Sequence, residues 1–122
     1  MEAITHEKAL RGIRTYLERQ EFEIIEEGWA HGRDHVDFVA RDDGELVFIA
    51  CTVRENDGGG FEDEHPDRGA FERLAAAYLV EHADEPESSV RFDIVSMLVL
   101  AESKALLRHH RNALGVDSSN LD

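Results

Sequence analysis

The run Leu46-Val47-Phe48-Ile49-Ala50-Cys51-Thr52-Val53 contains no charged residue. A strand sends alternate side chains to opposite faces, so a segment without charge at any position must be covered on both. Such a strand belongs in the middle of a sheet. Val90 to Leu100 is again largely apolar at both parities and predicts a second interior strand. Between the two, Phe71, Leu74, Ala75, Tyr78 and Leu79 recur at helical spacing. Pro66 suits the first turn of that helix, where its missing N–H loses no partner. Strand, helix and strand in this order predict a right-handed parallel crossover from Leu46 to Leu100.

Upstream, Leu10, Ile13 and Leu17 line one face of a helix. Phe22 to Glu27 alternates as a strand, with Phe22 and Ile24 on one side and Glu23 and Ile25 on the other. Gly32-Arg33-Asp34 reads as a turn and His35 to Arg41 as the next strand. Asp42-Asp43-Gly44-Glu45 then predicts a tight hairpin, because Asp-Gly tolerates the left-handed backbone such a turn requires. Glu55 to Glu64, built on Gly58-Gly59-Gly60, is a polar loop expected to be mobile. A second loop, 84–89, contains Pro86. Ala105 to Leu114 is rich in helix formers, and propensity alone predicts a short helix there. From Val116 the chain is polar and expected to fray. The reading is therefore one α/β domain over residues 1–115 with a tail at 116–122: a mixed sheet flanked by helices, in the order α-β-β-β-α-β and one further short element.

Charge restricts the partners. Thirteen basic residues face twenty-seven acidic ones, for a net charge of -14. That field repels nucleic acid and anionic membrane at long range, so contact with either must be local. No apolar run approaches the roughly 18 residues that span a bilayer. The opening MEAITHEKAL lacks a basic-then-apolar secretory pattern, and a single cysteine, Cys51, cannot form an internal disulfide. A reducing, cytoplasmic setting is the expectation.

Several segments, taken together, resemble a known family. Tyr16-Leu17-Glu18, then Phe22-Glu23-Ile24-Ile25 and Trp29, resemble the opening of the YraN-like family. His35-Val36-Asp37-Phe38-Val39-Ala40-Arg41-Asp42 resembles its Glu-Ile-Asp-Leu-Ile-Ala strand, and Leu46-Val47-Phe48-Ile49 the start of its Val-Phe-Val-Glu-Val-Lys-Thr-Arg strand. Ala77-Tyr78-Leu79 and Arg91-Phe92-Asp93-Ile94-Val95 are similar to its second helix and following strand, and Arg111-Asn112-Ala113-Leu114 to its closing Arg-Asn-Ala-Phe. The family resembles Holliday-junction resolvases and the PD-(D/E)XK nucleases. The resemblance implies a restriction endonuclease-like core with its site across the hairpin strands. It also implies that the closing segment is a strand, against the propensity reading.

Phosphodiester hydrolysis on such a fold uses a divalent ion, usually magnesium, held by one or two carboxylates and several waters. Asp lies on one strand and Glu-x-Lys on its neighbour, two residues apart so that both side chains share a face. By the resemblance the Asp is Asp37, while Ala50 stands at the Glu position and Thr52 at the Lys position. His35 replaces the acid two residues before the Asp. The first-helix Glu falls near Leu10, with Glu7 a turn away, and the helix lysine near Asp67, beside Arg68. Lys8 and Lys104 are the only lysines, and neither lies on the hairpin strands. Losing a general base costs about 10²- to 10⁴-fold in rate, and losing a metal ligand as well leaves nothing useful.

The preferred expectation is a catalytically degenerate nuclease fold acting as a non-catalytic nucleic-acid- or protein-binding module, without a cofactor. The alternative is a metal-dependent endonuclease using magnesium or manganese, with Asp37 joined by a migrated acid such as Glu7, Glu45, Glu55 or Glu72. Lys8, Arg11 and Arg14 on the first helix, and Arg108 and Arg111 around His109-His110, are the candidate nucleic-acid contacts; pairing with nearby acids is the plainer reading. His31, Asp34, His35 and Asp37 crowd one stretch, read as a polar turn rather than a metal site. Cys51 reads as a core thiol, and Trp29 as packing. By analogy with resolvases, a homodimer is plausible.

Overall fold

The computed structural model describes residues 6–82 and 89–115. The polar tail and most of the Pro86 loop lie outside the described residues. The elements run α1 (His6–Arg19), β1 (Glu23–His31), β2 (Asp34–Asp42), β3 (Glu45–Glu55), α2 (Arg68–Glu81), β4 (Val90–Ala101) and β5 (Lys104–His110). The five strands form one sheet in the order β1-β2-β3-β4-β5. β3 and β4 are parallel, joined through α2, and the other neighbours are antiparallel. Both strands expected inside the sheet are inside it. This mixed α/β arrangement is consistent with a nuclease-like core.

The closing segment overturns the helix expected from propensity. Lys104–His110 pairs with β4 from Ala101↔Lys104 to Ile94↔His110. Without it β4 would be an edge strand presenting a row of unpaired backbone groups. The pairing with β4 overrides a local preference worth only tenths of a kcal/mol per residue. The strand implied by the family resemblance is the one found.

The sheet divides the core in two. On one face Ala9, Ile13 and Leu17 of α1 pack on Phe38, Ala40, Val47 and Val95. On the other, Leu74, Ala75 and Tyr78 of α2 pack on Val36, Val39, Phe48 and Phe92. Leu79, assigned to the packed stripe of α2 from its spacing, is 43% exposed instead. α1 stops where Glu21 takes a φ of 70° and the Phe22 N–H reaches back to the Leu17 carbonyl at 3.0 Å. That turn drops Phe22 onto Leu17 in the same core layer. The β2–β3 hairpin turns on Asp43 (φ 52°) and Gly44 (φ 86°), both left-handed, as the Asp-Gly signal requires.

α2 begins two residues later than proline placement suggests, with Pro66 ahead of the cap. Asp67 is its N-cap, accepting the Ala70 N–H at 3.1 Å. The polar loop ahead of it, expected to be mobile, makes several contacts with β5. Arg108 sits 4.6 Å over the Phe61 ring and donates to the Glu62 carbonyl at 3.1 Å, while Glu64 meets His110 at 2.7 Å.

Candidate functional site

The site begins at a fork in the sheet. β2 and β3 pair from the hairpin as far as Phe38↔Ile49, and there the pairing stops. Asp37 is the next residue along β2. Its Oδ2 accepts the backbone N–H of Cys51 at 2.7 Å, so a side chain supplies the acceptor where the ladder ends. Asp37 is 8% exposed, with Oδ1 lying 3.5 Å from Nε2 of His35. The carboxylate the resemblance marks as a metal ligand is thus engaged in holding the backbone.

Ala50 and Thr52 flank that amide and share the α2 side of the sheet. Thr52 donates its hydroxyl to Ser96 Oγ at 2.9 Å, and Ala50 packs in the α2 core. Both line a cavity of about 210 Å³ whose walls include Val36, Phe71, Leu74 and Ile94. Asp37 does not line it. The two halves of the nuclease signature therefore point to different surroundings.

The acids considered as partners of Asp37 have surroundings of their own. Glu45 is held by Arg91 at 2.8 Å and by Ser89 at 3.2 Å. Glu7, Glu55 and Glu72 are exposed. Among the described residues, no three His, Cys, Asp or Glu side chains are grouped to hold a metal ion. Side chains at the β1–β2 hairpin have partners of their own. Arg73 grips both oxygens of Asp34, at 2.7 and 3.1 Å, and this hydrogen bonding holds the Asp34 carboxyl below its usual range. His31 stacks on Trp29, which in turn meets Tyr78 edge-on.

Of the cations considered as phosphate contacts, Arg14, Arg108 and Arg111 are matched with acids. Arg14 pairs with Glu18 and Glu27. Arg108 pairs with Glu64 at 3.4 Å, and Arg111 with Asp42 at 3.0 Å. Lys8 and Arg11 lie on the exposed side of α1. Cys51 is held back by burial and then by the nearby Asp37 charge, both of which push its thiol pKa up. A raised thiol pKa leaves little of the reactive thiolate.

The most elaborate polar cluster lies on the α1 side, where the residue pattern suggested only surface cations. Asp93, fully buried, accepts four hydrogen bonds: two from Arg91 (2.8 and 2.9 Å), one from His109 Nε2 (2.8 Å) and one from the Asn112 N–H (2.9 Å). Arg91 also reaches Asp42 at 2.9 Å and Glu45 at 2.8 Å. The other imidazole nitrogen of His109 lies 2.8 Å from the Tyr16 hydroxyl. A carboxylate can only accept, so Nε2 carries the proton toward Asp93. Burial raises the Tyr16 pKa, so the phenol keeps its proton. The row Tyr16–His109–Asp93–Arg91 is shaped like an acid–base relay. Its histidine side chain is only 6% exposed and its aspartate is sealed, so it joins α1, β4 and β5 rather than meeting a substrate. A signal was present in the sequence: Arg91 and Asp93 stand two apart on a strand and must share a face.

Comparison with known proteins places this geometry among relatives. The model of the uncharacterised protein family UPF0102 matches residues 4–97. A UPF0102 protein of Beutenbergia cavernae is 33% identical over 99 residues, covering 79% of this chain and 83% of the relative. One of Streptomyces griseus is 35% identical over 97 residues, 72% of this chain and 76% of the relative. One of Geobacter sulfurreducens is 25% identical over 123 residues, 89% of this chain and 91% of the relative.

Proposed function

The chain belongs to the uncharacterised protein family UPF0102, and on that premise we propose that it is a catalytically degenerate nuclease-like domain acting as a non-catalytic protein-binding module. The observation that carries this reading is the bond from the Cys51 amide to Asp37, flanked by Ala50 and Thr52. A magnesium site needs carboxylate oxygens free to face the ion, and the water-activating step needs a nearby base or cation. Here one carboxylate is committed to the backbone, and the neighbouring positions offer a methyl and a hydroxyl. A fold does not carry its usual chemistry once the site is gone.

Protein is favoured over nucleic acid as the partner. Arg14, Arg108 and Arg111 are matched with acids, and the chain carries a net charge of -14. Binding to phosphate backbones depends on cations that release counterions, and paired arginines supply few of them.

The test is incubation of the full chain with branched, single-stranded and duplex DNA in magnesium or manganese. No cleavage above the background of the Asp37→Ala variant is expected. Cleavage that disappears in that variant overturns the reading and restores the metal-dependent nuclease. Retention of DNA at low salt, weakening steeply as salt rises, transfers the binding role to nucleic acid.

A further inference from the structure

We propose that the cavity over Ala50 and Thr52 receives a single aromatic side chain from a basic segment of a protein partner. The inference rests on the reading of this chain as a protein-binding module, and it names the chemistry of the partner.

The space itself is the first argument. Ala50 and Thr52 are short side chains, and the space over them measures about 210 Å³. That is below the roughly 300 Å³ at which sites for drug-sized ligands begin. It is the scale of one large side chain. The walls suit an aromatic ring, because Phe71 and Phe92 stand beside Val36, Leu74 and Ile94. Ring edges meeting ring faces add to the gain from burial alone. A half-enclosed apolar pocket of this size is the form that anchor residues of an interface occupy.

Charge at the mouth is the second argument. Glu64, His65, Pro66 and Asp67 form part of the lining, which contains no lysine or arginine. Two of these, Glu64 and Asp67, are acids, and Glu64 also meets His110 and Arg108 on β5. Asp67 caps α2, so its carboxylate is fixed in place. Such a rim attracts a cation flanking the anchor and repels an anionic one. A phosphate or nucleotide finds no cation in the lining to meet it.

The experiment follows backbone amide signals of the full chain by nuclear magnetic resonance during titration with three blocked tripeptides: Lys-Phe-Lys, Glu-Phe-Glu and Lys-Ala-Lys. Lys-Phe-Lys is expected to shift the amides of Ala50, Thr52, Ala70 and Phe71, at least about tenfold more tightly than either control. Ala50→Leu fills the cavity and is expected to abolish those shifts at an unchanged melting temperature. Should that variant lose its fold, Asp67→Asn serves in its place. It keeps the helix cap, removes one rim charge, and is expected to weaken Lys-Phe-Lys severalfold. Absence of shifts at the pocket, equal binding of Glu-Phe-Glu, or binding that survives in a folded Ala50→Leu variant overturns the proposal. In a chain that leaves DNA uncut, those results reject the anchor site alone. DNA cleavage dependent on Asp37 rejects the module reading beneath it.

Discussion

Asp37 and Cys51 lie fourteen positions apart and are joined by a 2.7 Å hydrogen bond from amide to carboxylate, at the point where β2 and β3 separate. The bond compensates for the lost ladder. Asp37→Ala leaves the Cys51 amide without its acceptor and is expected to cost about 1–3 kcal/mol, the usual penalty for an unsatisfied buried group. Asp37→Asn keeps an acceptor oxygen and is expected to cost less. Urea denaturation of both variants measures the difference. Equal stability of wild type and Asp37→Ala would show that the amide finds another partner.

Asp93 carries a larger share. Its removal leaves the Arg91 guanidinium, with a side chain only 10% exposed, short of its most buried partner, and leaves His109 Nε2 without an acceptor. Breaking a buried pair from one side typically costs about 3–5 kcal/mol. Asp93→Ala is expected to fall in that range in chemical denaturation. A loss below about 1 kcal/mol would mean that Asp42 and Glu45 suffice for Arg91.

The same cluster sets an acid limit. Burial alone raises the Asp93 pKa. Hydrogen bonds from His109, Arg91 and the Asn112 N–H outweigh it and hold the group below its ordinary value of 3.8. A carboxyl depressed in the folded state binds protons more readily when unfolded. Its stabilisation is therefore complete above 3.8 and is lost as pH falls toward the depressed folded value. Denaturation midpoints from about pH 6 down to about pH 3 are expected to fall more steeply for wild type than for Asp93→Asn. Parallel curves would remove Asp93 from the explanation.

Cys51 offers a check on the α1 side of the fork. With its thiol pKa raised first by burial and then by the Asp37 charge, it is expected to react with a disulfide reagent roughly 100-fold slower in the native chain than in the unfolded one. Rapid native labelling would indicate that the end of β3 opens readily.

Much of this architecture could be read from residue order because burial leaves a periodic mark. The unbroken run from Leu46 to Val53 placed β3 inside the sheet, and Asp43-Gly44 fixed the hairpin. β5 left no such mark. Its Ala105-Leu106-Leu107 core favours a helix locally, and only the distant edge of β4 makes it a strand. The site divided the same way. The family resemblance singled out Asp37, Ala50 and Thr52. The engagement of Asp37 depends on where β2 leaves β3, a three-dimensional fact. His109 was grouped with surface cations because its neighbours Arg108 and His110 are exposed, whereas strand alternation turns it inward onto Asp93.

One consequence of the Arg91–Asp93 cluster concerns how β4 finds its phase. A strand that is apolar on both sides gains almost as much when shifted by one position, because either parity satisfies the two greasy layers. Arg91 and Asp93 break that degeneracy. In the observed phase they meet Phe22 and His109, while Phe92 and Ile94 go to the α2 layer. A one-residue slip would press a guanidinium and a carboxylate against Phe71 and Leu74. The buried ions thus act as a key cut for one lock, and a chain stripped of both would lose the means to tell its correct strand alignment from the neighbouring wrong one.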